Sequence, residues 1–161
     1  AQEMLSPEEH EEVFHWLYQL SRQVPFRVKT TLGQPFRRVS IQEARLRGQP
    51  TDSMPSTNDG NGICFISHIG EIFPSGFLPI LCGNVRTDRL VETYQTNPLF
   101  QALRDKGELE GKCGVCPFNS TCGGCRARAY ACTGDYLAAD PTCAFQPQAA
   151  SVAAVPIAVL G

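Results

Sequence analysis

Apolar residues near the start of the chain recur at helical spacing. Val13, Trp16, Leu17, Leu20 and Val24 fall on one face of a 3.6-residue repeat, with polar and charged positions between them. Ser6-Pro7-Glu8-Glu9 stands just before that stripe and has the form of a helix start. The serine hydroxyl can cap, proline suits the first helical position, and a glutamate three residues on completes a capping box. Pro25 is expected to end the helix, and Phe14 and Trp16 to belong to the core. Phe26–Thr30 then reads as a short strand.

The pattern weakens over Gly33–Gly60, where Ser40–Arg47 predicts one or two helical turns. Pro50–Gly62 is rich in Pro, Ser, Thr, Asn, Asp and Gly and reads as a linker at a domain boundary. Ile63–Ser67 and Glu71–Phe73 flank Gly70 as the arms of a β-hairpin. Phe77–Leu81 is expected to extend that sheet, with Gly83-Asn84 as a turn. Asp88 is a candidate cap for a helix through Tyr94 that faces Leu90, Val91 and Tyr94 inward. Asn97-Pro98 opens a second helix to Asp105, burying Leu99, Phe100 and Leu103. Gly107–Gly111 reads as a loop, and Cys125–Cys132 as a short helix stopped by Gly134. Ala149–Leu160 is apolar but twelve residues long and broken by Pro156. A membrane span needs about 20, so this reads as a loose tail. The whole predicts an α+β fold.

At 161 residues the chain makes one moderate domain or two small ones. An apolar content of 42% is ordinary for a soluble protein. A formal charge of −2 and a pI near 5.9 give no long-range attraction to nucleic acid or to an anionic membrane. Basic residues gather at Arg27, Lys29, Arg37, Arg38, Arg45 and Arg47, which reads as a solvated face. Ala1–Leu20 is acidic and amphipathic, unlike a signal peptide. A reducing cytoplasm is therefore the expected setting. No P-loop, dinucleotide fingerprint or Ser/His/Asp order is present, and no catalytic residue is assigned.

Cysteine changes the picture. Six of the eight cysteines fall between Cys113 and Cys143, including the pairs Cys113-Gly-Val-Cys116 and Cys122-Gly-Gly-Cys125. Each pair puts two sulfurs on one tight, glycine-rich turn, as an iron–sulfur cluster or a structural zinc requires. Crowding into one stretch argues against a disulfide scaffold, whose bridges would be spread along the chain. Cys113, Cys116 and Cys122 are the first candidates for ligands. Spacing alone leaves the fourth open between Cys125, which closes a compact knot, and Cys143, which closes a longer loop. Cys132, seven residues after Cys125, shares its helical face and is expected to pack. Arg126 and Arg128 follow the second pair directly. They could neutralise a negative cluster or bind a substrate carboxylate, against a plainer reading as surface ion pairs. His68 is expected to be exposed, and Asp135 and Asp140 to cap or turn the chain.

These elements together resemble the C-terminal auxiliary-cluster domain of radical SAM enzymes, of the SPASM or twitch type. The resemblance rests on Gly111-Lys112-Cys113-Gly114-Val115-Cys116, Cys122-Gly-Gly-Cys125-Arg-Ala-Arg-Ala129, Gly134-Asp135, Asp140-Pro141-x-Cys143, Gly70-Glu71-Ile72-Phe73-Pro74 and Gly83-Asn84-Val85-Arg86. It covers 61–148 and is nearest to the haem-pathway and peptide-modifying branch. Ser6–Thr31 resembles the last helix and strand of the partial (β/α) barrel that precedes such domains. The resemblance divides the chain into 1–31, the barrel end; 32–62, a linker; 63–148, the auxiliary domain; and 149–161, the tail.

What the resemblance implies is specific. One [4Fe–4S] cluster would be held by Cys113, Cys116, Cys122 and Cys143, with Cys125 as the weaker candidate. The CxxxCxxC loop that binds the SAM-cleaving cluster is not among these residues. S-adenosylmethionine and that second [4Fe–4S] cluster belong to the full-length oxidoreductase. There, cleavage of S-adenosylmethionine yields a 5′-deoxyadenosyl radical that takes a hydrogen atom from the substrate, and the auxiliary cluster positions substrate and handles an electron. Partners implied are a peptide or tetrapyrrole-like substrate and an electron donor such as ferredoxin or flavodoxin. A second auxiliary cluster would use the cysteine matching Cys125 with upstream cysteines. Ser75 stands where the family often has one, and Cys64 and Cys82 lie at other offsets. The competing reading, from spacing alone, is a four-cysteine zinc-binding interaction module.

Overall fold

The computed structural model describes residues 4–51 and 58–147. The apolar tail at 149–161, and the middle of the expected linker, lie outside the described residues.

The first helix, α1, spans Pro7–Ser21. The Ser6 hydroxyl accepts from the Glu9 amide, and the Glu9 carboxylate accepts from the Ser6 amide, so two otherwise unpaired donors are satisfied reciprocally. It ends a turn before Pro25, at an Arg22 cap whose amide donates to the Gln19 and Leu20 carbonyls. Phe14 and Tyr18 are the buried residues, whereas Trp16 is 60% exposed and Val13 is also exposed. The buried face is thus rotated from the expected stripe. The cause is α2, Pro35–Leu46, which packs on α1 with the Phe14 and Phe36 rings 6.1 Å apart. That helix is longer than the turns expected over Ser40–Arg47. Phe26–Thr30 forms no strand; no described strand lies beside it to complete a ladder.

One member of the basic cluster is not solvated. Arg38 is 1% exposed, and its guanidinium grips Glu11 through two bonds of 2.7 and 2.5 Å and Gln42 through one of 2.6 Å. This fork-to-carboxylate pair joins α2 to α1.

Three short strands form an antiparallel sheet in sequence order: β1 (Phe65–Ile66), β2 (Glu71–Phe73) and β3 (Gly83–Asn84). Phe65 faces Phe73, and Ile72 faces Gly83. The third strand is therefore Gly83–Asn84, and Phe77–Leu81 stays outside the sheet. Asp88 accepts from the Asn84 amide at 2.7 Å, closing this turn instead of capping the next helix. That helix, α3 (Leu90–Thr96), starts at Arg89 without a side-chain cap and leaves Val91 exposed. Asn97 does cap α4 (Pro98–Arg104) through the Leu99 amide, and Phe100 and Leu103 are fully buried. A 3₁₀ turn (Lys106–Glu108) leads to α5 (Gly111–Gly114), and α6 spans Arg126–Thr133 and stops at left-handed Gly134. The α+β architecture is the one expected. Its core joins Leu78, Leu103, Cys125 and Ala127, with Leu32, Leu99, Tyr130 and Tyr136 packed against them. Among the described residues no helix is long and apolar enough to cross a membrane.

Glu11→Ala would leave Arg38 buried without its counter-charge. We expect a loss of about 3 kcal/mol. Ser6→Ala, which removes only a cap, should cost about 1 kcal/mol. Urea unfolding of the two variants measures both, and the larger loss must belong to Glu11.

Candidate metal centre

The cysteine stretch is held by backbone turns that side chains would obstruct. Cys113 is on α5, whose close approach to Leu109 depends on Gly114; a Cβ there would meet the Leu109 carbonyl oxygen at 2.1 Å. The Cys122-Gly-Gly-Cys125 turn runs through Gly123 and Gly124, both at positive φ. A Cβ on Gly124 would lie 3.0 Å from the Cys113 sulfur and 2.5 Å from the Arg126 guanidinium. That turn then hands over to α6, with Cys125 as its N-cap.

Asn58 and Asp59 fix the turn from a distant point in the sequence. Asn58 Nδ2 donates to the Gly124 carbonyl at 2.8 Å, and Asp59 accepts from the Ala127 amide at 3.2 Å and from the Ser75 hydroxyl. Both residues are buried. Asp140 secures the other side. Wholly buried, it accepts from the Cys125 and Thr142 amides and pairs with Arg128, whose guanidinium also donates to the Leu32 carbonyl at 2.9 Å. Nothing in the sequence singled out Asn58 or Asp59, whose Asn-Asp-Gly reads as one more turn at the end of a polar stretch.

Cys113, Cys116, Cys122 and Cys143 line one small cavity, partly open to solvent. Arg38, Lys112, Asn119, Gly123, Gly124 and Phe145 complete its wall. Amides point at its sulfurs: Gly124 N–H at Cys122 Sγ, 3.5 Å, Asp140 N–H at Cys113 Sγ, 3.4 Å, and the Phe145 amide at Cys143. Phe118 and Phe145 meet edge to face at 5.6 Å, and the Arg38 guanidinium lies 4.9 Å over the Phe145 ring. Phe145 thus gives the cavity one apolar wall, backed by Phe118.

The remaining cysteines stand elsewhere. Cys125 is fully buried in the core, where its sulfur accepts from the Arg128 amide at 3.4 Å. Cys132, expected to pack, is exposed on α6, because the end of that short helix projects past the core. Cys82 lines a separate, polar cavity with Thr87, Asp88, Arg89 and Asn97, and Cys64 precedes β1. None of the eight cysteines forms a disulfide. Arg126 and Arg128 are not surface ion pairs. Arg126 has no exposed surface; it donates to the Tyr136 and Ala138 carbonyls at 3.0 and 2.7 Å and to Cys113 Sγ at 3.6 Å. His68 is exposed, and Asp135 turns the chain by accepting from the Leu137 amide.

Which group do these residues fit? Among the described residues, no three His, Cys, Asp or Glu side chains are close enough to hold a single metal ion. Tetrahedral zinc with bonds of about 2.3 Å would need its sulfurs within about 3.8 Å of one another. Four cysteines that line one cavity without meeting at a single point suit a multi-iron core better. The charge points the same way. Arg126 takes part in none of the ion pairs among the described residues, and its Nε has no partner. A buried, uncompensated cation is unfavourable unless negative charge arrives beside it. Thiolate sulfur bound to iron would supply that charge.

No family model matches the chain. Individual relatives do. An AdoMet-dependent heme synthase of Methanosarcina barkeri is 37% identical over 151 residues, 89% of this chain and 43% of that protein. One from Oleidesulfovibrio alaskensis is 36% identical over 154 residues, 91% of this chain and 40% of its own length. A PqqA peptide cyclase of Methylocella silvestris is 40% identical over 95 residues, 56% of this chain and 26% of that protein. The chain thus spans about two fifths of the heme synthases it matches.

The thiols carry their own pH limit. Burial pushes Cys122 up to about 12 from the ordinary 9.0, against an opposing hydrogen bond from the Gly124 amide. Burial also raises Cys143, there opposed by the Arg38 charge. The fold therefore prefers the neutral thiols. This stability is present below the unfolded value near 9 and is lost as pH climbs toward the folded value near 12. Metal-free protein should unfold at lower urea at pH 10.5 than at pH 8 (roughly midway through and below that window). Cys122→Ala should flatten the difference, and an unchanged alkaline limb would contradict this account.

Proposed function

The chain belongs with the radical SAM enzymes of the SPASM/twitch type, and we propose that its part in such an enzyme is to hold an auxiliary [4Fe–4S] cluster on Cys113, Cys116, Cys122 and Cys143. The observation that carries this reading is the pairing of four cysteines around one cavity with a buried, carboxylate-free Arg126 against one of them. When bound, such a cluster supplies one-electron transfer. The chain's own residues do the rest. Gly124 and Asp140 direct amides at sulfur, which favours the thiolate form. Phe145, backed by Phe118, and Arg38 wall one side of the cavity. Asn58, Asp59 and Asp140 hold the cysteine turns in register.

The full-length protein then acts as an AdoMet-dependent oxidoreductase in which this domain positions substrate and accepts or returns an electron, exchanged with a ferredoxin or flavodoxin. The match to heme synthases covers far more of the chain than the match to the peptide cyclase, which supports a tetrapyrrole substrate over a peptide. A reducing, cytoplasmic setting belongs to the same proposal, in keeping with six of the eight cysteines crowded into one stretch.

Protein prepared without oxygen should contain about four iron and four sulfide per chain. Cys143→Ala should lose stable iron, and Cys132→Ala should retain it. Stoichiometric zinc with no sulfide, even after anaerobic reconstitution, would replace this reading with a zinc module. Loss of the cluster in Cys125→Ala, with Cys143→Ala intact, would move the fourth ligand to the compact knot.

A further inference from the structure

The environment of Arg126 goes beyond charge balance. Its side chain is fully buried at the first position of α6, so it reaches its contacts without crossing solvent. Two backbone carbonyls, Tyr136 and Ala138, fix one terminal nitrogen at 3.0 and 2.7 Å, and the other terminal nitrogen points at Cys113 Sγ, 3.6 Å away. Only a glycine at 124 leaves room for that approach, since a Cβ there would occupy the same space 2.5 Å from the guanidinium and 3.0 Å from the sulfur. The neighbouring cations differ. Arg38, also at the cavity, is neutralised by Glu11, and Arg128 by Asp140. Lys106 lies near enough to Arg126 to feel its repulsion, after burial the second cause that lowers the lysine's affinity for its proton. Lys112, at the cavity wall, also has no ion pair among the described residues, but it donates to the Cys143 carbonyl; Arg126 is the buried guanidinium without an ion pair whose donor faces a candidate ligand sulfur.

We propose that Arg126 is the positioning residue that sets the electron affinity of the centre, raising its reduction potential through a charged N–H···S bond to Cys113. A fixed positive charge beside a ligand sulfur favours whichever state carries more negative charge, and that is the reduced one. The carbonyl clamp matters because a pre-oriented donor does not reorganise when the electron arrives. A cluster held here would take one electron from a reduced donor, which is oxidised, and pass it to an oxidised acceptor, which is reduced; Arg126 neither gains nor loses a proton. The inference rests on the cluster reading above.

The test is a redox titration, followed by electron paramagnetic resonance, of the reconstituted parent, Arg126→Gln and Arg126→Lys. Removing the charge should make the cluster harder to reduce, by at least tenfold in the equilibrium constant, ~59 mV for one electron. Arg126→Lys, which keeps the charge, should restore most of that shift. A merely structural role predicts lower iron content in both variants with an unchanged midpoint in the fraction that loads, and that result overturns the inference. Should both variants fail to load, guanidino-¹⁵N-labelled Arg38→Lys protein keeps the question open to measurement. With Arg126 then the guanidinium that donates to a candidate ligand sulfur, a hydrogen-bond-strength nitrogen coupling to the reduced cluster supports the contact, and none overturns it. Parent protein free of inorganic sulfide overturns the cluster reading itself and this inference with it, whereas a loaded parent with midpoints indifferent to residue 126 overturns only the latter.

Discussion

Four thiols and a set of cations share one small volume, and the rest of the domain is arranged around reconciling them. Sulfur that is buried resists ionisation, as the elevated Cys122 and Cys143 thiols show. Guanidinium that is buried cannot give up its proton and must find negative charge. Arg38 and Arg128 find it in Glu11 and Asp140; Arg126 does not. Metal-free protein is therefore protonated where it should be anionic and cationic where it should be balanced. The proposed ligation would resolve both conditions in one step, because binding iron would deprotonate the sulfurs and set their charge next to the arginine.

The same arrangement explains how the first fifty residues relate to the cysteine region. Arg38, on α2, is at the cavity wall while its fork holds α1 through Glu11. Arg128, on α6, donates to the Leu32 carbonyl in the chain just before α2, and Leu32 packs on the core. Gln34 donates to Asn58, which in turn donates to Gly124 between two of the cysteines. The two helices are thus cross-linked to the cysteine turns by polar contacts from three directions.

Local chemistry made much of this legible in the sequence. The capping box at Ser6, the Asn97-Pro98 start, the Gly134 stop and the Gly70 hairpin each depend on residues within a turn of one another, and each is present. What failed depends on partners far along the chain. Phe26–Thr30 has strand-like residues but no strand beside it. Trp16 fits the apolar repeat, yet α2 packs on the Phe14–Tyr18 side. Arg38 and Arg126 looked like surface charges, because composition cannot reveal a carboxylate twenty-seven residues upstream or a sulfur thirteen residues back. The cysteine spacing pointed to a candidate metal centre, but the residues that surround those cysteines came only from three-dimensional neighbours.

Cys125 shows how one motif can divide its labour. It belongs to the same CxxC pair as Cys122, only three residues away, yet the two sulfurs face different surroundings. The chain enters α6 at Cys125, and an N-cap side chain must turn back toward the first amides of its own helix; the sulfur accepts from Arg128 N–H. That turn directs it into the core beside Leu78, Leu103 and Ala127 and away from the cavity that Cys122 lines. A second auxiliary cluster would need Cys125 to leave this position and join Cys64 and Cys82, one before β1 and the other at a separate polar cavity. Ser75, at the family's alternative ligand position, is already bonded to Asp59, which holds α6 by the Ala127 amide. Freeing either group would unfasten the helix whose first residue is Arg126. Cys125, Cys64 and Cys82 thus line no common cavity among the described residues, in contrast to the four cysteines gathered around the first.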